Sequence, residues 1–318
     1  MNRVSQLARK LMRFAGPVLF LLILWRIDLS RLADTVAAIR PPLVLAALLL
    51  YPCLILLKAW RWRLLLRQQG VNYSLAPAFA AYNSSLAVGY VTPGRLGEFV
   101  KALYLRQDEG LSIGYAFSSV LLDRILDLYL LLLTAGLGIV LLAAPGQLLA
   151  PSLLVLAAVA LAPLLVLVPR VSRRLTALVT KATSRLMGGN LGEQLNRSLD
   201  GFQRGMEQLV NVQLVPPLIC TAIAYLVFYF QCYLCALALQ LPVSYLYAAY
   251  CVSLASLLAL LPVSISGLGV REAAFIALLS PLAIAAETAV TYSLLILFVF
   301  NIFGGALGAL AWVLRPLR

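Results

Sequence analysis

The sequence predicts an all-α polytopic membrane protein arranged as an inverted-topology repeat, and three observations carry that prediction. Hydrophobic residues make up 63% of the 318 positions and charged residues only 12%, about half the charged share of soluble domains. The 25 Lys and Arg outnumber the 12 Asp and Glu and gather between apolar runs, as cytoplasmic loops facing anionic lipid do. Finally, two glycine breaks interrupt apolar sequence about 170 residues apart, Val91 to Glu98 and Ser264 to Glu272, and each places an arginine and a glutamate where hydrocarbon is expected.

In chain order, Met1 to Phe14 carries Arg3, Arg9, Lys10 and Arg13 and leads into the apolar stretch Ala15 to Trp25. No small-residue cleavage site follows, so this reads as an uncleaved first span with a cytoplasmic N-terminus. Pro41 to Ala59 is a second span, and the aromatic and basic run Lys58 to Arg63 marks a headgroup boundary. Ala76 to Val91 is apolar but broken by Pro77, Asn83, Ser84, Ser85 and Gly89, and Leu96 to Leu105 resumes as a short helix. Tyr115 to Leu142 is long enough to span with tilt, although Asp123, Arg124 and Asp127 lie within it. Pro151 to Val168 is another span, and Arg170 to Asn211 holds seven basic residues against three acidic ones, so that loop is cytoplasmic. Leu191, Leu195, Leu199, Phe202, Met206 and Leu209 recur in it at helical spacing and predict a helix lying along the inner surface. Pro216 to Leu239 spans, Tyr245 to Leu261 and Ala273 to Ala286 flank the second break, and Glu287 to Leu314 is a last span closed by Arg315 and Arg318.

The charge count then constrains topology. If Ala76 to Val91 were one simple crossing, the basic loop at Arg170 would lie outside, against the positive-inside rule. The conflict disappears if each broken segment pairs with its successor as a hairpin, one entering from the cytoplasm and one from the other side. The expectation is one membrane domain over residues 1–318. Repeats at 41–142 and 216–314 are joined by a linking span and basic loop at 143–215. It has about six full spans plus two re-entrant hairpins, or eight spans if every hairpin arm crosses, since both arrangements give the same parity. Both termini are then cytoplasmic. Inverted repeats of this kind bring discontinuous helices together near the midplane, where transported substrates bind.

An arginine at the bilayer centre costs roughly 2.5 to 3.5 kcal/mol even on the lenient insertion scale, so Arg95, Arg124 and Arg271 need partners. Asp123 and Asp127 share a helix face, and Arg124 reaches Asp127 three residues on; these three are read as an ion-pair network. Gly94, Gly97, Gly267 and Gly269 free backbone N–H groups at two helix starts which, with Arg95 and Arg271, form a site for a lipid phosphate. Glu98 and Glu272 suit the positive end of the following helix, and Lys101 and Arg106 guide a headgroup inward. The competing reading is that these charges only lock the hairpins together. Asn83 and Asn301 line the cavity or satisfy broken backbone, and Glu287 is a proton-coupling carboxylate or a plain helix-start acid. The chain has no histidine, which removes the commonest metal ligand and neutral-pH base; no metal and no cofactor is expected. The five cysteines lie in apolar runs, and Cys232-x-x-Cys235 is read as packing. No soluble basic domain exists to hold nucleic acid.

At Pro93 to Glu98, at the span with Asp123, Arg124 and Asp127, and at Leu261 to Ala273, the chain resembles the lysylphosphatidylglycerol synthase transmembrane-region family, also called the flippase-like domain family. The resemblance covers nearly the whole chain and implies an integral inner-membrane protein that moves or handles lipids. Where several relatives carry a Pro-Gly-Gly-like run, this sequence has Pro262 to Gly267, which gives its second hairpin tip a shape of its own. The sequence ends four residues after the last span, so aminoacyl transfer by a fused soluble domain is not expected of it.

These residues support a lipid transporter that moves an anionic or glycosylated phospholipid, or a polyprenyl-phosphate lipid, between leaflets without altering it. Two other classes stand beside that reading. One is a membrane-embedded enzyme using Asp123 or Glu272 as general base on a lipid-linked sugar or phosphate. The other is a non-transporting scaffold for a lipid synthase. The expected partners are a membrane lipid with a phosphate-bearing headgroup and the bilayer, with a second copy or a lipid synthase left open.

Overall fold

The computed structural model describes residues 17–142, 190–210, 214–260 and 267–317, and all regular structure in them is helical. The expected span Pro151 to Val168, most of the basic loop before Asn190 and the tip Pro262 to Ser266 lie outside the described residues. The helices in chain order are α1 (Pro17–Arg26), α2 (Leu29–Ala37), α3 (Pro41–Gln68) and α4 (Leu75–Val91). A 3-10 segment (Pro93–Val100) leads into α5 (Lys101–Glu109) and α6 (Ile113–Leu142). Then come α7 (Asn190–Val210), α8 (Val215–Ala238), α9 (Tyr245–Ala259), α10 (Val270–Leu279), α11 (Ala286–Leu297), a π segment (Phe298–Phe303) and α12 (Gly304–Leu314).

Among the described residues, three stretches are long and apolar enough to cross a membrane: α3, α8, and the continuous run Ala286–Leu314 that joins α11, the π segment and α12. At 1.5 Å per residue a span of the hydrocarbon core takes about 20 residues, so these helices of 28, 24 and 29 residues suffice. Their exposed faces carry Leu45, Leu49, Ile219, Ile223, Leu226 and Leu310, side chains that suit a lipid surface rather than water.

The centre is an antiparallel pair of α3 and α8. The Arg40 amide at the start of α3 donates to the Ala238 carbonyl at the end of α8 over 3.0 Å. Further along, Gln231 Nε2 donates to the Ala47 carbonyl at 2.8 Å and Cys220 Sγ to the Leu57 carbonyl at 3.1 Å. Such side-chain bonds to backbone satisfy polar groups where hydrocarbon offers none. Two more close pairs flank the centre, α4 with α12 and α9 with α6. Each closes on a glycine. A Cβ on Gly308 would fall 2.4 Å from the Asn83 carbonyl oxygen, and one on Gly138 would fall 2.0 Å from the Tyr250 ring. Small residues let helix backbones approach this closely inside a membrane.

Similar local features recur along the chain. Gly70 and Gln240 both take positive φ at the ends of α3 and α8, and the next residues, Val71 and Leu241, bond back to Leu66 and Ala236 in the same way. Lys101 and Arg271 donate to Asp123 and Ser293. One interval separates the members of every one of these pairs, including Gly138 and Gly308.

Helix α7 packs on α6, with Met206 and Leu209 buried as its periodicity predicts, and Gln69 Nε2 ties the two by donating to Ser118 Oγ and to the Gly205 carbonyl. A polar latch closes the end where the α3–α4 turn meets α5 and α12. Arg315 pairs with Asp108 at 2.7 Å and donates to the Tyr73 hydroxyl and the Pro77 carbonyl, while Tyr73 donates to Asp108. Burial, together with the Asp108 carboxylate, pushes the Tyr73 hydroxyl well above its ordinary pKa, so Tyr73 stays a donor.

Candidate functional site

The first break is built by its own sequence. Thr92 leaves α4 in an extended conformation, its hydroxyl accepts from the Gly97 amide at 2.7 Å, and it donates to the Gly89 carbonyl at 3.1 Å. Gly94 and Arg95 then take positive φ, 61° and 57°. Glycine adopts that region freely, but an arginine there carries backbone strain of about 1–2 kcal/mol, and strain of that kind clusters at functional sites. Its consequence is local: Arg95 turns into a cavity.

That cavity has a volume of about 420 Å³, within the usual range of small-molecule sites. Leu128, Leu131, Phe228 and Phe300 give it an apolar wall; Lys58, Arg95, Arg124 and Asp127 give it a charged one, with Tyr51, Tyr90 and Tyr225 between. Gly94 and Arg95 of the first break meet Ser256 and Leu260 of the second half in its lining, and the Gly94 Cα faces the Leu260 carbonyl.

Behind the charged wall lies a buried ion-pair network. Arg61 is fully buried and spans both aspartates, with Nη2 2.6 Å from Asp123 and Nη1 2.6 Å from Asp127. Lys101, also fully buried, donates to Asp123 at 2.6 Å and lies over the Tyr82 ring at 4.0 Å. Arg124 meets Glu98 at 2.5 Å and Asp127 at 3.1 Å, and Lys58 meets Asp127 at 3.2 Å. Tyr82 donates to Asp123 and receives hydrogen bonds from Arg61 and Arg124. All three carboxylates are thus engaged by cations, and Arg124 is the described cation that Glu98 has. Arg95 is different. It sits over the Tyr90 ring at 5.4 Å, and among the described residues no carboxylate pairs with it.

The residues singled out from the sequence therefore divide. Gly94, Arg95, Arg124 and Asp127 line the cavity, while Glu98, Lys101 and Asp123 stand directly behind it. Gly97 serves the Thr92 cap. Lys101 does not sit on an entry path, because its ammonium is enclosed with Asp123, Tyr82 and Trp62. Arg106 is on the surface. In the second half, Gly267 and Gly269 hold positive φ, and the Gly269 amide donates to the Glu272 carboxylate at 2.5 Å at the start of α10. Arg271 turns to Glu272 at 3.2 Å and donates to Ser293 at 2.8 Å; this buried group lies outside the cavity lining, although Arg95 and Arg271 repel one another electrostatically. Asn83 donates to its own helix at Phe79, and Glu287 accepts from the Asp28 amide. No group of His, Cys, Asp and Glu among the described residues could hold a metal.

Sequence reasoning missed Lys58 and Arg61, which it assigned to a headgroup boundary. The signal was present: Lys58 and Arg61 are three apart on one helix and Asp123 and Asp127 four apart on another, so the two helices offer complementary charged faces.

Over 115 residues the chain is 28% identical to UPF0104 membrane protein PH1989 of Pyrococcus horikoshii, an alignment covering 35% of this chain and 34% of that protein. The chain thus matches about a third of the length of that relative. No solved structure matches. The model of the lysylphosphatidylglycerol synthase TM region family matches residues 13–308, nearly the whole sequence and every residue of the cavity; this integral membrane protein belongs to that family.

Proposed function

We propose that the protein moves a lipid with an anionic headgroup between the leaflets of the membrane, leaving it chemically unchanged. One observation carries this reading: a cavity lined mostly by apolar side chains also holds Arg95, with which no carboxylate among the described residues pairs. An anion supplies the missing partner, and the apolar wall suits the alkyl part of the same molecule. Transport fits better than chemistry on the lipid because, among the described residues, the buried carboxylates Asp123, Asp127, Glu98 and Glu272 are each paired with a cation, which disfavours a general-base role.

The same proposal takes residues 41–142 and 216–314 as inverted copies whose broken hairpins meet at the cavity. The constant interval between equivalent residues supports it, as does the antiparallel course of the equivalent helices α3 and α8, because an inverted repeat requires its matching helices to run in opposite directions. Basic loops and both termini then face the cytoplasm.

The test is headgroup translocation in reconstituted vesicles carrying a fluorescent anionic phospholipid, followed by quenching from outside. Wild type speeds exchange over empty vesicles, and Arg95→Ala reduces it at least tenfold. Equal exchange with wild type, Arg95→Ala and empty vesicles overturns the transport reading.

A further inference from the structure

The charge on the cavity wall specifies more than an anion. Resting on the reading above, we propose that the headgroup taken by this cavity is a phosphomonoester bearing two negative charges, rather than a phosphodiester bearing one.

The groups behind the wall cancel. Arg61 and Lys101 are cations, Asp123 and Glu98 are anions, and all four are fully buried. The wall itself does not cancel, because Lys58, Arg95 and Arg124 face the cavity against Asp127 alone. Charge excess in a low-dielectric site is costly until it is matched, and two further negative charges match this one. A phosphodiester leaves one cation unanswered.

Geometry points the same way. Lys58 and Arg124 both grip Asp127, at 3.2 and 3.1 Å, so their donors converge. Arg95 approaches from the first break over the Tyr90 ring at 5.4 Å and lines the same cavity as Lys58 and Arg124. Three cations from three different elements suit the three terminal oxygens of a phosphomonoester, a group that carries about −1.5 to −2 charge at neutral pH. A diester has two free oxygens and one ester substituent, which must occupy the space beside a cation. Leu128, Leu131, Phe228 and Phe300 in the same lining suit an alkyl chain, so the ligand is a lipid phosphate and not a soluble one.

The assay uses the purified full chain in neutral detergent. Three probes are titrated separately: dioleoyl phosphatidic acid, dioleoyl phosphatidylmethanol, which differs by one methyl ester on the same phosphate, and inorganic phosphate. Binding is read by thermal stabilisation and by native mass spectrometry. The expected result is an apparent Kd about tenfold lower for phosphatidic acid than for phosphatidylmethanol, with Arg95→Gln erasing most of that difference and inorganic phosphate giving little stabilisation. Equal affinity for the two lipids overturns the phosphomonoester assignment while leaving an anionic-lipid site. Failure of both lipids to bind overturns that site and the transport reading with it. Stabilisation by inorganic phosphate as strong as by phosphatidic acid overturns the lipid assignment. The central comparison is made on the wild-type protein, so it stands whether or not the Arg95 variant folds.

Discussion

Replacing Asp123 by asparagine tests the buried network directly. Asp123 is fully buried and receives Arg61 at 2.6 Å, Lys101 at 2.6 Å and the Tyr82 hydroxyl at 3.1 Å. In Asp123→Asn, Arg61 keeps Asp127 at 2.6 Å, but Lys101 loses the carboxylate it pairs with and retains only the faces of Tyr82 and Trp62. Removing one partner of a buried pair costs about 3–5 kcal/mol, because the other charge is left uncompensated. The Tyr82 and Trp62 rings face Lys101 in the wild type as well, so they do not offset that loss. At roughly 2–4 °C per kcal/mol for a domain of 150–250 residues, thermal unfolding in detergent should fall by at least about 6 °C. The double variant Asp123→Asn with Lys101→Met removes both charges and should be more stable than Asp123→Asn alone, since the two sites share one interaction. If the single variant melts with wild type, or the double variant is worse than either single change added together, the enclosed network is wrong.

Three other consequences are open to measurement. Gly308→Ala places a Cβ 2.4 Å from the Asn83 carbonyl and should destabilise by about 1–3 kcal/mol through overpacking, whereas Gly305→Ala, whose Cβ meets nothing closer than 3.7 Å, should be neutral or gain up to about 1 kcal/mol of helix propensity; equal melting of the two would contradict the α4–α12 contact. The Ser30 hydroxyl and the Ser30 and Arg31 amides hold the Asp28 carboxyl below its ordinary value, so its contribution to capping α2 is present above the unfolded carboxylate pKa and is lost as pH falls through the folded one. Amide exchange in α2 should therefore quicken on acidification in wild type but change little in Asp28→Asn, and acid-insensitive exchange in wild type would refute the cap. Arg315→Gln cuts the pair with Asp108, and hydrogen exchange should rise in α5 and the α3–α4 turn while the α3–α8 centre keeps its protection; unchanged exchange there would show that the latch holds nothing.

The membrane class, the helix order and the helical reading of residues 191–209 were legible because hydropathy and 3.6-residue periodicity are local properties. The breaks were legible for the same reason: Gly94 and Gly267 both hold the positive φ that glycine permits. What surrounds them was not. Arg61 looks like an interfacial residue beside Trp60 and Trp62, and only the docking of α3 against α6 turns it toward Asp123 and Asp127. The two arginines of the breaks also look alike in sequence, yet Arg271 is taken by the adjacent Glu272 and by Ser293, while Arg95 stays free to face the cavity. That difference is decided by partners on distant elements, which spacing along one segment does not report.

The matched positions of the two halves carry unmatched charge. Where the first half has Lys58, Arg61, Asp123, Arg124 and Asp127, the corresponding residues of the second are Phe228, Gln231, Ser293, Leu294 and Leu297. Local features such as the turns at Gly70 and Gln240 recur at one interval, but the charge at these positions is lopsided. Under the transport reading, an anionic headgroup that leaves the charged cavity meets no matching cluster at the corresponding described positions of the second half. Affinity along such a path is uneven, while the equilibrium between the two leaflets is unchanged by a passive protein, and the unevenness resides in the side chains.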